Sequence, residues 1–400
     1  MNTVVAEPAV REWLRATAVP VTESDAGLSA LVERLGRARI VGLGESTRFS
    51  RETFGIRDRI FRALVTEHRF RALAVQDGAR SGERLDRYVR TGAGDPRGVL
   101  AGAWRPWRTA QMAATLAWIR AFNQRHPDDQ VAVFGVEPPA AEPADYDVVL
   151  DHVRRVAPDR APQVEAHLAP IRTAHRIDEH VQRHQGIHPG RPFAEHAADA
   201  LAIVESLPTA PGTDTARAAM RLILRFHRTS VAATGFAADE RDAADRIDDW
   251  QQRTGAKIAY WDGIAHTSGV ALGVGASAFA GAGSHLRARH GAEYASVAIG
   301  FHHGDLGVAH VPAPRPDLMD AVLGTVDLPA FALDLSASAP EPVRAWLRSP
   351  AKLRVISGVY DPAEDEKAHI AVPSPAEAFD ALVFVRETTP VEWFPEFDGR

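Results

Sequence analysis

The stretch Arg39-Ile-Val-Gly-Leu-Gly-Glu45-Ser-Thr-Arg48 decides the reading of the fold. An apolar run ends on a glycine and then delivers a carboxylate, two hydroxyls and a guanidinium in succession. In open α/β sheets ligands sit beyond the carboxyl ends of the strands, so polar groups just after a buried strand are site candidates. The pattern recurs along the chain. Gln76 and Asp77 follow Leu73-Ala-Val75, and Glu137 follows Val131-Ala-Val-Phe-Gly-Val136. Asp262 and His266 follow Lys257-Ile-Ala-Tyr-Trp261, and His302 and His303 follow Val297-Ala-Ile-Gly-Phe301. Acids, amides and imidazoles at successive strand ends predict one shared cleft.

Between these strands the periodicity is helical. Ser50 reads as the N-cap of a helix on which Phe54, Ile60, Phe61, Leu64 and Val65 form one stripe. Residues 109–123 repeat the logic with Met112, Leu116, Ile119 and Phe122, just before the strand at Val131. This βαβα order implies a mainly parallel sheet with right-handed crossovers. From Tyr146 to about Trp250 the texture changes to helical spacing alone, as in Val149/Leu150/Val153, Val164/Leu168/Ile171 and Met220/Ile223/Leu224. Strand-like runs resume at Ile258, Val297, 330–335, 353–359 and 381–385. The expected fold class is α/β: one mainly parallel central sheet flanked by helices, with an inserted helical subdomain. Residues 1–145 and 251–400 form the two parts of the core, and 146–250 a lid. Residues 269–284 are rich in Gly, Ala and Ser but lack Gly-Lys-Ser/Thr, which excludes a phosphate-binding P-loop and leaves a flexible loop bordering the site.

Composition removes several function classes. The 400 residues are 45% hydrophobic and 24% charged, an ordinary globular balance. A net charge of −6 without a basic run argues against nucleic acid as partner. No apolar stretch approaches the ~20 residues of a membrane span. The first residues lack the basic and apolar regions of a signal peptide, so a cytoplasmic location is expected. The absence of cysteine excludes disulfides, thiolate catalysis and Cys-ligated metal. Only three lysines occur, Lys257, Lys352 and Lys367, which disfavours Schiff-base chemistry. His180 and His184 lie four apart with His175, Glu179 and His188 nearby, but no His-Glu-x-x-His is present, and a solvated helix face is the preferred reading. No metal and no cofactor are expected.

The chain resembles the erythromycin esterase-like family. The likeness is carried by Val41-Gly-Leu-Gly-Glu45-Ser-Thr, Arg51-Glu52 through Arg59 to Leu64, Leu85-Asp-Arg-Tyr-Val89 with Thr91-Gly and Gly94-Asp95, and Trp107-Arg-Thr109. It continues through Trp118-Ile-Arg120, Asn123, Val133-Phe-Gly135, Arg241-Asp242, Ile258 to His266, Gly283-Ser-His-Leu286, Tyr294 and Phe379-Asp-Ala-Leu382. The resemblance implies an α/β core with a helical portion over a deep cleft. It also implies a metal-free hydrolytic site in which a His three residues after the Gly-Glu glutamate activates water. A second Glu at the next strand end and paired histidines after a later strand assist it. Here Glu45 is kept, but Arg48 stands at the position of that His and Gln76 at that of the second Glu. Gly263-Ile-Ala-His266 keeps only the second of the paired histidines. Arg, with a pKa above ~12, cannot act as a general base.

The expected catalytic residues are therefore His266, Glu45 and Arg48, with His266 as proton carrier and Arg48 as donor to an anionic oxygen. Gln76, Asp77, Arg51, Glu52, Glu137, Asp262, His302 and His303 are the expected substrate-binding set. The leading expectation is an acid–base enzyme of specialised metabolism acting by cyclisation, elimination or rearrangement on a large apolar oxygenated small molecule such as a polyketide. Its rivals are a hydrolase of a lactone or ester, with His266 or His302 as base, and a non-catalytic binding protein for the same ligand class.

Overall fold

The computed structural model describes residues 8–22, 26–175, 191–229, 239–274, 277–356 and 360–394. Two compact units are present, one made of residues 1–137 and 238–398 and the other centred on 138–237.

The first unit is built on a nine-stranded sheet. Its parallel heart comprises β2 (Ile40–Glu45), β3 (Phe70–Gly78), β4 (Ala132–Glu137), β5 (Lys257–Gly263), β8 (Tyr294–Asp305) and β13 (Ala381–Thr388). They lie side by side in the order β13-β8-β2-β5-β3-β4, every pair parallel. Parallel strands share one carboxyl edge, so the polar residues in the last positions of β2, β3, β4 and β5 are delivered to the same side, while β8 continues past His302 and His303 to Asp305. Antiparallel β10 (Ala330–Asp334), β1 (Val19–Pro20) and β9 (His310–Val311) extend the margin. All of β2 is buried, as the apolar run predicted, because helices cover both faces.

The helix Arg51–His68 starts where Ser50 accepts a hydrogen bond from the Thr53 N–H at 3.1 Å, the expected cap. Its stripe of Phe54, Ile60, Phe61 and Leu64 packs with Leu43, Leu73 and Trp261 in the largest core cluster. On the opposite face two glycines let the short helix Ile264–Thr267 lie directly on β2. A Cβ at Gly44 would run into the Thr267 hydroxyl and stand 2.7 Å from Ile264 Cα, and one at Gly42 would meet the Tyr294 and Thr267 side chains. These glycines let the helix that carries His266 pack on the strand that ends in Glu45.

Two regions differ from the sequence expectation. Residues 269–284, read as a loop, contain β6 (Leu272–Val274) and β7 (Ser277–Phe279). They join β12 (His369–Val372) and β11 (Ala351–Arg354) in a separate four-stranded antiparallel sheet, so Leu353 and Arg354, which open the run expected at 353–359, pair there and not in the main sheet. Leu272, Leu353, Ile370 and Val372 give this small sheet an apolar face on a core shared with Phe331 and Phe379, which outweighs the small residues between them. The helix Arg241–Thr254, placed by periodicity in the helical segment, belongs instead to the first unit. There its Ala244 and Ile247 pack with Phe134, Tyr260 and Leu286.

The second unit contains the helices Pro143–Val156, Ala161–Ile171, Phe193–Ser206 and Thr213–Thr229. They close around their own core of Tyr146, Val149, Leu168, Ala200, Met220 and Ile223, with the Tyr146 hydroxyl 2.9 Å from His227 Nε2. Among the described residues no helix is long and apolar enough to cross a membrane.

Candidate active site

Four of the expected residues meet at the carboxyl edge of the sheet around Arg48. Its Nη1 lies 3.2 Å from Glu45 Oε1, and its Nη2 donates to Asp262 Oδ1 at 3.0 Å and to the Gln76 side-chain oxygen. The Trp104 ring covers the guanidinium, whose carbon stands 4.4 Å from the ring centroid. Arg48 thus bridges the ends of β2, β3 and β5, and a planar fork of donors suits that task better than a lysine would.

Beneath it lies a residue that the strand-end reading passed over. Arg57, on the helix after β2, reaches Glu45 Oε1 at 3.0 Å, and both side chains are sealed from solvent. Trp261, Phe54 and Trp107 surround its guanidinium at 4.5, 5.0 and 5.2 Å. Burial pushes the Glu45 carboxyl up, and Arg57 and Arg48 pull it back. Burial likewise lowers Arg57, against the charge of Glu45. The missed signal was an arginine at an apolar position: residue 57 falls between Phe54 and Phe61 on the buried stripe.

His266 sits at the next flank, on the turn after β5. Its Nδ1 is 2.7 Å from Glu240 Oε1, and its Nε2 is 3.8 Å from Asp262 Oδ1. Asp262 also accepts from the Tyr260 hydroxyl and from the Gly263 N–H, each at 2.7 Å, which fixes its carboxylate. Burial lowers the His266 pKa, but Asp262 and Glu240 outweigh it and raise it to about 9. At neutral pH His266 is therefore an imidazolium that can donate a proton, which narrows the expectation of a two-way carrier. Glu240 was missed as well. It precedes the Arg241-Asp242 pair and follows the helical segment, so no strand announces it.

Glu137 is the last residue of β4, where the strand leaves the core. The protein around it raises its carboxyl to about 7, first by desolvation and then by repulsion from Asp77, Asp262 and Glu240, against an opposing pull from His266. A carboxyl that titrates near neutrality within the field of an imidazolium can exchange a proton with substrate.

The remaining candidates stand elsewhere. Asp77 is buried and committed to structure, accepting from the Gly78 and Trp104 N–H groups and the Ser81 hydroxyl at 2.7, 2.9 and 2.8 Å. It holds the Trp104 backbone while that ring covers Arg48. Arg51 and Glu52 open the first turn of their helix and project away from Arg48. Arg51 pairs with Glu392 at 3.0 Å, and Glu52 accepts from Thr388 and Thr389. His302 and His303 end β8 on the same edge, but their Nδ1 atoms face each other at 2.9 Å. Burial and the nearby His303, Arg386 and Arg354 lower the His302 pKa to about 4, which keeps that ring neutral. Among the described residues no group of three or more His, Asp or Glu is arranged to hold a metal ion. Glu179, His180, His184 and His188 lie outside those residues.

Comparison with known proteins adds the family context. The erythromycin esterase family model matches residues 65–388, a span that contains Gln76, Glu137, Glu240, Asp262 and His266 and begins after Arg48. A protein from Bacillus cereus superposes with a TM-score of 0.67 at 22% identity, over 98% of this chain and 100% of that one. A succinoglycan biosynthesis protein matches with a TM-score of 0.66 at 20% identity, over 97% and 98%. A mutant erythromycin esterase in its open conformation matches with a TM-score of 0.56 at 16% identity, over 95% and 98%. At these identities the structural likeness is one of fold.

Proposed function

The chain belongs to the erythromycin esterase family, and from that premise we propose that it is an acid–base enzyme of specialised metabolism whose reaction on a large, apolar, oxygenated, polyketide-like molecule is a cyclisation, elimination or rearrangement. The observation that carries this reading is the engagement of Arg48 with Glu45, Gln76 and Asp262. Arg48 is a permanent cation at the position where the resemblance places the water-activating base, and its acceptors engage it there. Arg48 cannot take a proton from water, but its charge favours an enolate or alkoxide formed beside it. His266 is charged and can donate, and the Glu137 carboxyl titrates close to neutrality and can accept. One donor and one acceptor without a water-activating base suit proton relocation within a substrate.

A second reading is hydrolysis of an ester or lactone, the activity for which the family is named. The Glu137 carboxyl favours it, since a group that titrates near neutrality can serve water as well as substrate. His302, the alternative base considered from sequence, is engaged with His303 instead.

Product analysis in isotopically labelled water separates the two, with macrolides and with intermediates of the host's own pathways as substrates. The wild type is expected to leave macrolactones closed and to convert a pathway intermediate without taking up solvent oxygen. Arg48→His combined with Gln76→Glu and Gly263→His should gain ring-opening and lose the native reaction. A Cβ at Gly263 would stand 3.2 Å from His266 Cδ2 and 3.6 Å from Arg48 Nη2, so the new imidazole enters the cluster as Arg48 leaves it. Efficient ring-opening by the wild type, with labelled oxygen in the product, would overturn the non-hydrolytic reading.

A further inference from the structure

Glu240 is built into the site from both ends. Its N–H donates to the Ala280 carbonyl at 2.9 Å, and the neighbouring Asp239 forms a parallel bridge with Ala280. Its two carboxylate oxygens have separate tasks. Oε1 is 2.7 Å from His266 Nδ1, and Oε2 accepts from the Ala282 N–H at 3.1 Å, in the first turn of the helix Ala282–His290. A carboxylate tied down through its backbone and its far oxygen can hold an imidazole in one orientation. Phe279 supports the ring edge-on, with centroids 5.3 Å apart.

The other ring nitrogen is left differently. The 3.8 Å from Nε2 to Asp262 Oδ1 is an electrostatic contact, too long for a hydrogen bond. Asp262 already serves Arg48, Tyr260 and the Gly263 N–H. Nε2–H is therefore directed at the carboxyl edge of β5 with its hydrogen bond unspent.

We propose that Glu240 is the positioning residue of this enzyme: it binds the Nδ1–H of His266, fixes the ring, and reserves Nε2–H for an oxygen of the substrate. The inference rests on the acid–base reading above and extends it. Nε2 donates its proton to a substrate oxygen that gains electron density as a neighbouring bond breaks, and the electron pair of the N–H bond stays on the ring. When product leaves, Glu137 gives up to solvent the proton it took from the substrate, and the imidazole takes one from solvent, which restores both groups. Glu240 keeps its negative charge throughout and touches neither substrate nor the transferred proton, as an orienting carboxylate does.

The ring's environment is set by Glu240 before the helix Arg241–Thr254, Asp262 on β5, Arg48 after β2 and Glu137 on β4, so the test must isolate the first of these. Imidazole nitrogen shifts measured by NMR on histidine-labelled protein do so without a substrate, with His266 assigned from the signal lost in His266→Gln. In Glu240→Gln the His266 titration midpoint is expected to fall by about 1–3 pH units, the usual effect of removing an opposite charge at this range. Its preference for a proton on Nδ1 should weaken. Glu240→Asp should restore part of both. Where Glu240→Gln does not fold, Ala282→Pro removes the N–H that anchors Oε2 at a position where proline suits a helix start, and a smaller change in the same direction is expected.

With a turned-over substrate, Glu240→Gln should lower kcat with little change in KM and displace the limb of the pH profile that reports His266. An unchanged midpoint and tautomer in a folded Glu240→Gln protein would overturn the proposal. Because the NMR reading needs no reaction, its failure removes the positioning role alone. Uptake of solvent oxygen in the product assay would remove the non-hydrolytic reading and leave the Glu240–His266 arrangement standing.

Discussion

Two neighbouring parts of the carboxyl edge of the sheet treat charge in opposite ways. Around Glu45 the carboxylate and the Arg57 guanidinium are sealed beneath Trp107 and Trp261, and Arg48, covered by Trp104, pairs with both Glu45 and Asp262. Around His266 a side chain with one-fifth of its surface exposed faces carboxylates that hold a proton on it. The first arrangement fixes shape and gives up titration. The second keeps a movable proton. The difference teaches that one sheet edge can hold a closed ion network beside a histidine whose neighbouring carboxylates favour its protonated form.

The largest expected effect comes from breaking the sealed side. Arg57→Met leaves the buried Glu45 with only Arg48 as counter-charge and should cost about 3–5 kcal/mol in denaturant unfolding, the range for stripping one partner from a buried pair. Arg57→Met with Glu45→Gln should recover much of that loss. If the single substitution is as stable as the wild type, the network is not what organises this flank.

On the open side, His266→Ala should cut turnover by about 10²- to 10⁴-fold, the usual worth of a general acid, while shifting thermal stability far less than Arg57→Met. Equal losses of fold and function would erase the contrast between the two flanks.

Solution pH sharpens the comparison further. The His266 pKa is raised from 6.5 to about 9, so the folded state binds the extra proton across that interval. Its contribution is complete below pH 6.5 and is lost as pH rises through about 9. Unfolding measured across this window should show falling stability, and His266→Gln should flatten the slope. Glu137, raised from 4.5 to about 7, adds a decline of the same sign between those values, which Glu137→Gln should remove.

The smallest effect is expected at Trp104. Trp104→Leu removes the aromatic face over Arg48 and should cost about 0.5–2 kcal/mol of stability, the scale of one cation–π contact. No change in unfolding would mean that hydrogen bonds alone hold Arg48.

Sequence by itself determined that the chain is α/β and that polar groups gather at the ends of its parallel strands. Buried parallel strands read as continuous apolar runs, and their first polar residue marks the carboxyl edge. Glu45, Gln76, Glu137 and Asp262 were legible for that reason, as was His266 just beyond β5. The helical character of the second unit was legible too, because amphipathic spacing survives without knowledge of the neighbours.

Tertiary structure alone decided how those groups share their charge. Glu240 lies 26 residues before His266 and Arg354 donates to the His302 carbonyl 52 residues away, and such pairings have no local periodicity to reveal them. Arg57 looked like one more arginine until three aromatic rings and Glu45 closed around it. The glycines of β2 read as the end of a strand, and only packing showed that they admit the helix carrying His266. Whether a histidine is charged and whether an arginine is free to bind substrate depend on burial and on partners within a few ångströms, and the folded chain sets both.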